Sequence, residues 1–235
     1  MKRLLFLIPV LVLAACRKHD TPPPPPPTCL ISQATFSGAH INQGPTRYTY
    51  DAQGRLVRSV ESDTVITTFT RAADSIVAIT TVKGLAITRT VITNNKDGLA
   101  SNIHGTLDAA GELWFNIDYE YSGQELTRST FVSTTLTDAI VTNFTWSGGN
   151  MVSFSNDTTT SHLEYYTDQP RQQGDAFFFD QFTGGFEVSR TRNLLKSRYG
   201  LTYTYQFRPD GKITSVTAKD TVGETFITKY DYECN

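Results

Sequence analysis

The chain has 235 residues, 21 basic and 23 acidic side chains, a formal charge of −2 and 39% hydrophobic residues. That balance excludes a nucleic-acid binder, which needs clustered positive charge, and offers no basic stripe for anionic lipid. Thr, Tyr and Phe are abundant, and these side chains suit pleated, half-buried strands.

Lys2 and Arg3 open the chain with positive charge, and Leu4 to Ala15 is apolar except for Pro9. Leu13-Ala14-Ala15-Cys16 closes the stretch with small residues. A charged start, a short apolar core and a small-residue cleavage site mark residues 1–15 as a secretory signal peptide. Its 12 apolar-stretch residues fall short of the roughly 20 that span a bilayer. Leu-Ala-Ala-Cys resembles the lipobox of bacterial lipoproteins at all four positions. The resemblance implies cleavage before Cys16 and acylation of that cysteine with lipid such as palmitate; the alternative is an ordinary signal peptide with an incidental cysteine. Residues 16–28 then read as a tether. Arg17 to Thr21 is polar, and Pro22 to Pro27 is unbroken proline, which adopts extended polyproline II at ~3.1 Å per residue and acts as a semi-rigid spacer. In lipoprotein sorting, aspartate directly after the cysteine favours the inner membrane. Arg17 stands there instead, so the resemblance implies the outer membrane. Arg17-Lys18-His19-Asp20 carries a single acid, which favours a periplasm-facing anchor over surface display.

From Cys16 onward 19 basic and 23 acidic residues remain, a net charge of −4. Residues 29–235 suit a single β domain. Besides Cys16 there are two cysteines, Cys29 at the start of that domain and Cys234 at its end. In an oxidising compartment they read as one disulfide; the alternative is two free thiols, and a metal site lacks an accompanying histidine.

The domain reads as strand, turn, strand almost throughout. Leu113, Phe115, Ile117, Tyr119 and Tyr121 share one parity, and Trp114, Asn116, Asp118 and Glu120 the other. Leu201, Tyr203, Tyr205 and Phe207 alternate with Thr202, Thr204 and Gln206. Phe226, Tyr230, Tyr232 and Cys234 alternate with Ile227, Lys229, Asp231 and Glu233, which puts Cys234 on an aromatic face, as for a buried disulfide. Period two places each set on one face of a sheet. Gln53-Gly54, Asp97-Gly98, Ser122-Gly123, Gly148-Gly149-Asn150 and Asp210-Gly211 punctuate the runs with residues that tolerate tight hairpins. No segment is long and periodic enough for a major helix. The expected fold is all-β: an antiparallel meander of successive hairpins, curled or closed into a barrel-like sheet. Bridging Cys29 to Cys234 would require the first and last strands to be close.

A weak repeat runs through these hairpins. Tyr48-Thr49-Tyr50-Asp51-Ala52-Gln53-Gly54-Arg55-Leu56 has the form Y-x-Y-D-x-x-G-R-L. Shorter versions begin at Tyr119, Phe144 and Tyr203, and Tyr230-Asp231-Tyr232 begins another. The first copy resembles the YD repeat of Rhs-type and teneurin proteins. The whole of 29–235 is more similar to small Gram-negative envelope lipoproteins with a porin-like β fold, which share the lipobox, the early Y-x-Y-D-x-x-G-R-L hairpin, a late element like Asn193-Leu194-Leu195-Lys196-Ser197 and a closing Tyr-x-Tyr hairpin. The motifs are structural, so the resemblance implies a fold and carries no activity.

Thr167 to Arg198 breaks the alternation. It holds Gln169-Pro170, Gly174, Phe177-Phe178-Phe179, Phe182 and Gly184-Gly185. Asp175 is placed to cap a short helix with Phe178 and Phe182 on one side. A long irregular segment in a compact domain usually covers something or serves function. Phe177, Phe178, Phe179 and Phe182 are therefore expected to form a lid on one end or face of the sheet, with a ligand-gating loop as the rival reading.

Chemistry is sparse. There is no G-x-S-x-G elbow, H-E-x-x-H pair, phosphate loop or calcium loop. His40, His104 and His162 are dispersed, and neither a metal nor a cofactor is expected. His162 and Glu164 share a strand face and can pair. Glycoside hydrolysis needs two carboxylates, for which Asp118, Glu120, Asp175, Asp180 and Glu187 are available. Trp114 with Asn116, Asp118 and Glu120 is the best candidate for a sugar-stacking platform. Asp63-Thr64-Val65, Asp74-Ser75-Ile76, Asp157-Thr158-Thr159 and Asp220-Thr221-Val222 fit the pattern of bacterial envelope O-glycosylation. The favoured reading is a membrane-anchored envelope lipoprotein, a non-enzymatic binding or accessory module whose partner is a glycan or an envelope protein. The rivals are a glycan-active hydrolase and an integral outer-membrane barrel.

Overall fold

A computed structural model describes residues 29–38, 41–42, 44–177 and 185–234. The signal segment, Cys16, the proline spacer, His40, Phe178, Phe179, Asp180 and Phe182 lie outside the described residues. The chain runs β1 (Cys29–Gly38), β2 (Ile41–Asn42), β3 (Thr46–Tyr50), β4 (Leu56–Glu61), β5 (Val65–Arg71), β6 (Ser75–Val82), β7 (Leu85–Asn94), β8 (Ala100–Thr106) and β9 (Trp114–Ser122). It continues β10 (Glu125–Ser133), β11 (Ile140–Ser147), β12 (Asn150–Ser155), β13 (Thr160–Pro170), β14 (Asn193–Arg198), β15 (Leu201–Phe207), β16 (Ile213–Lys219) and β17 (Thr225–Cys234). From β3 to β17 each strand pairs antiparallel with the next, and β1 pairs with both β17 and β3. The two-residue β2 is appended to the end of β1. The other sixteen strands close a ring. An all-antiparallel closed meander requires such an even number.

The register divides the sequence into an apolar lumen and a mainly polar wall, on which Ile79 and Ile87 are also exposed. Ile76 faces Ile92, Ile92 faces Ile103, Ile103 faces Ile117 and Ile117 faces Phe131 along the inside. Outside, Arg89 faces Thr106, Thr106 faces Trp114, Asn102 faces Asp118 and Glu120 faces Arg128. Each parity set expected from the sequence falls on one side of the sheet. Leu113 is the exception: it precedes β9 and is exposed. Two inward glycines make room for cross-strand rings. A Cβ on Gly105 would lie 2.3 Å from Phe115 Cε1, and one on Gly38 would lie 2.5 Å from Phe226 Cδ1. Gly105→Ala is expected to push Phe115 off its place and cost roughly 1–3 kcal/mol. Chemical denaturation checks this; an unchanged midpoint would mean that the ring moves freely.

The deepest layer lies at the rim that carries Cys29 and Cys234. There, an inward aromatic near the end of a strand donates to a carbonyl one strand back. Tyr50 Oη reaches Ile31 O at 2.6 Å and Tyr121 Oη reaches Ala100 O at 2.6 Å. Trp146 Nε1 reaches Leu126 O at 2.7 Å, and Tyr165 Oη reaches Met151 O at 2.9 Å. Tyr205 Oη reaches Leu195 O at 2.6 Å, and Tyr232 Oη reaches Ile213 O at 2.8 Å. All six acceptors belong to buried apolar residues. Burial pushes the Tyr232 phenol up to about 12, so the hydroxyl keeps the hydrogen it donates. This contact is what the repeated hairpins share, and Tyr165 makes it from a strand outside the copies seen in the sequence.

Cys29 and Cys234 are directly opposite in register and form a disulfide, with Cα atoms 3.9 Å apart. Cys234 is exposed and Cys29 half-buried. The bridge therefore fastens the rim, where the expectation was a buried disulfide; the strands end there, and among the described residues the outermost pair stays open to solvent.

Strand β13 runs on to Pro170 and β14 begins at Asn193, so the stretch between the strands is 171–192, shorter at both ends than the expected irregular segment 167–198. A ring of sixteen strands is wide enough to leave a channel. Here the described parts of 171–192 enter the lumen at the disulfide rim. Asp175 is 0% and Phe177 8% exposed. Glu187 O accepts from Ala100 N at 2.8 Å, Val188 O from Tyr121 Oη at 2.9 Å, and Gly149 O from Arg192 N at 2.9 Å. Asp175 precedes a helical turn opened by Ala176 and Phe177 and accepts from Phe177 N at 3.4 Å. Of the four expected lid phenylalanines, Phe177 packs inside the core; the other three fall outside the described residues.

Candidate functional site: a cleft between the plug and the rim

Among the described residues, the plug does not fill its end of the barrel. A cleft of about 550 Å³ remains between it and the rim of β3 to β8. Leu30, Tyr50, Leu56, Ile76 and Phe186 supply an apolar lining; Arg55, Arg71, Asn94, Gln173 and Glu187 supply polar groups. A mainly apolar concavity with a few converging polar groups is the usual form of a small-ligand site.

The Y-x-Y-D-x-x-G-R-L hairpin builds one wall. Asp51 Oδ1 accepts from Gln53 N at 3.0 Å and Arg55 N at 2.9 Å, closing the turn, and Gly54 takes φ 73° within it. Arg55 Nε donates to Asp51 Oδ2 at 2.7 Å. The Arg55 amide, with help from its guanidinium, holds the Asp51 carboxyl below its ordinary range. The next residue, Leu56, turns into the core.

Arg71 comes from the inward face of β5, on the parity of Phe69. One Nη donates to Gly185 O of the plug at 2.8 Å and to Leu56 O at 3.5 Å. Its Nε and the Oδ1 of Asn94 are buried without a hydrogen-bond partner. Burial, then the neighbouring Arg55 charge, lowers the Arg71 guanidinium from its ordinary value, yet an arginine stays charged at any working pH. Glu187 is spoken for: Arg171 holds one oxygen at 2.9 Å and Arg190 the other at 2.7 Å. Arg190 also donates to Asp97 O at 3.2 Å, beside Gly98 of the cleft. The rim thus gathers Arg55, Arg71, Arg171 and Arg190 against Asp51 and Glu187. From Cys29 onward 17 basic residues face 22 acidic ones, so this is a positive locus on an acidic domain.

The residues singled out in the sequence lie elsewhere. Trp114, Asn116, Asp118 and Glu120 stand in a column on the outer wall. Asn102 Nδ2 donates to Asp118 Oδ1 at 2.7 Å and Asn116 Oδ1 at 3.0 Å, and Asn116 Nδ2 donates to Asp118 Oδ2 at 2.9 Å. His104 lies 6.0 Å from Trp114, ring to ring. Glu120 pairs with Arg128 at 3.3 Å. The column is a real polar ladder, but its amides and carboxylates are spent largely on one another. Glu164 pairs with Lys196 at 3.1 Å, across the strand pair, where the sequence suggested His162. Of the described acids offered for a carboxylate pair, Asp118 and Glu120 share the outer column but are engaged by Asn102, Asn116 and Arg128, Asp175 lies inside the core, and Glu187 lies between two guanidiniums. Sequence reading missed Arg55 and Arg71 as site residues. An arginine on the inward parity of Val65, Thr67 and Phe69 was the available signal for Arg71.

No family model matches the chain, and no curated protein matches it significantly. Solved structures do. A porin-like protein from Bacteroides uniformis has a TM-score of 0.60 at 16% identity, covering 86% of this chain and 96% of that one. A porin-like protein from Bacteroides vulgatus has a TM-score of 0.58 at 14% identity, covering 86% of this chain and 98% of that one. At such identities the likeness is one of fold.

Proposed function

We propose that this barrel is a lipid-anchored envelope lipoprotein, held at the outer membrane facing the periplasm, which binds a small ligand in the rim cleft and performs no chemistry on it. The observation that carries the reading is the sidedness of the sheet. A barrel that crosses a bilayer presents an apolar band to lipid. This one turns its apolar set inward and puts Arg58, Arg89, Asp118, Glu120, Arg128 and Lys229 on the wall. With a polar wall, attachment falls to the sequence before Cys29, where Leu13-Ala14-Ala15-Cys16 and the proline spacer suit an anchor. The tether would leave from the plugged rim, so the opposite rim would point away from the membrane. The outer column at Trp114 supports a second, glycan-facing reading through its aromatic pair, but the cleft is favoured because its polar groups retain unused bonding capacity.

Membrane fractionation tests the anchor against the integral barrel. Wild type is expected in the membrane fraction and Cys16→Ala in the soluble one. Retention of Cys16→Ala after a carbonate wash would overturn the lipoprotein reading in favour of an integral barrel.

A further inference from the structure

We infer that the rim cleft selects a small carboxylate joined to an apolar body; this rests on the binding role proposed above and names the ligand class for the same site. Charge comes first. Arg55 and Arg71 both line the cleft and lie close enough for the charge of one to act on the other. The single acid lining it, Glu187, has both oxygens engaged by other arginines. An anion entering here meets the Arg71 guanidinium, which holds no carboxylate, and that of Arg55, which shares its charge with Asp51, and it meets no available carboxylate among the described lining residues.

Hydrogen bonding comes second. A buried donor without a partner destabilises the state that holds it and favours a ligand that supplies an acceptor. Arg71 Nε is such a donor, on a side chain whose Nη is already fixed by the plug at Gly185. The guanidinium is therefore held in place before a ligand arrives, and a carboxylate oxygen satisfies its remaining N–H. Arginine suits carboxylate because its planar fork matches the two oxygens. The rest of the ligand faces a mainly apolar wall of Leu30, Leu56, Ile76 and Phe186, on which a polyhydroxylated body would leave most of its hydroxyls without partners. That separates the inferred ligand from an acidic sugar, which carries the same head.

Fluorescence of 8-anilinonaphthalene-1-sulfonate, an anionic aromatic probe, is set beside that of neutral N-phenyl-1-naphthylamine. The anionic probe is expected to bind saturably, at least tenfold more tightly than the neutral one. Arg55→Gln and Arg71→Gln should each weaken it about fivefold and leave the neutral probe unchanged. Arg128→Gln, on the outer wall, should alter neither. Phenylacetate should displace the anionic probe, whereas phenylacetamide and glucuronate should not. Arg71→Gln also removes a plug contact, so Arg55→Gln, which touches only its own turn, is the decisive variant. Equal affinity for the two probes, or no effect of Arg55→Gln, would overturn the inference and leave ligand binding standing. Displacement by glucuronate but not phenylacetate would overturn it in favour of an acidic sugar. If neither probe binds saturably, the binding role itself falls with it.

Discussion

Replacing Cys29 and Cys234 together with alanine is expected to lower the melting temperature by roughly 5–20 °C. The bridge spans a sequence separation of 205 residues, and closing so long a loop restricts the unfolded chain strongly. The chain-entropy model gives about 5 kcal/mol for it, and native disulfides are worth about 2–5 kcal/mol in practice. In a domain of this size each kcal/mol moves the midpoint by about 2–4 °C. The ring is not expected to open in the folded state. Strands β1 and β17 remain joined along Cys29–Gly38 and Phe226–Cys234, and Gln33 Nε2 donates to Asp231 Oδ2 at 2.9 Å across them. Because Cys234 is exposed, a mild reductant should bring wild type to the same midpoint as the double variant. If the midpoint moves by less than a degree in both experiments, closure rests on the strand ladder and the bridge adds nothing.

The same bridge shows how far local pattern reaches. Period-two alternation is a property of a few adjacent residues, so the division between Phe115, Ile117, Tyr119 and Tyr121 inside and Asn116, Asp118 and Glu120 outside was legible without a fold. Apart from the porin-like resemblance, closure was legible through the two cysteines, because no residue pattern other than theirs ties residue 29 to residue 234. Turns were legible where Gly, Asn or Asp marked them. Lys83-Gly84 and Tyr199-Gly200 escaped notice, although Lys83 takes φ 50° and Tyr199 φ 53° in the same two-residue hairpin geometry. The ends of the irregular segment were misplaced because Asn193 to Arg198 contains adjacent buried leucines, Leu194 and Leu195; a strand packed on both sides loses its alternation.

The site was less legible than the fold for a physical reason. Trp114 and its polar neighbours drew attention as a compact local pattern. The cleft is assembled from the β3–β4 turn, the end of β5, the end of β7 and a plug more than 70 residues further along. Arg71 and Gly185, which meet at 2.8 Å, are 114 residues apart in sequence. No window of sequence joins them. The repeat gave half of the site unrecognised: in Tyr48 to Leu56, the tyrosines and leucine build the core ring while the arginine between them faces the cleft.

Asp175→Ala is expected to destabilise the barrel by about 2–4 kcal/mol, because this one carboxyl ties the plug to the wall. Its Oδ1 accepts from Leu195 N at 3.2 Å and Phe177 N at 3.4 Å, and it lies 2.8 Å from Tyr205 Oη. Alanine leaves two buried amides without an acceptor, at about 1–3 kcal/mol each before relaxation. Asp175→Asn should behave in the opposite way above neutral pH. Tyr205 has one hydroxyl hydrogen and two oxygens in reach, Leu195 O at 2.6 Å and Asp175 Oδ1. When that hydrogen points to Leu195 O, the contact with Asp175 is kept by a hydrogen on the carboxyl. Burial pushes the carboxyl up from its ordinary value, against the bonds from Tyr205, Leu195 and Phe177, and Oδ2 is buried without a partner. The neutral acid is thus the form the plug prefers. In the unfolded chain the group titrates near 3.9. The stability it lends is fully present below that value and is lost as pH rises through the higher folded-state value. An asparagine amide stays neutral throughout; its oxygen, in the place of Oδ1, accepts from the two backbone amides and from Tyr205 Oη, and its NH2 takes the place of the unpartnered Oδ2. Melting temperatures measured from pH 4 to pH 8 should therefore fall in wild type relative to Asp175→Asn, with the variant the more stable at pH 8. Parallel curves for the two proteins would mean that Asp175 is ionised in the folded barrel and that its burial is balanced by the bonds it accepts.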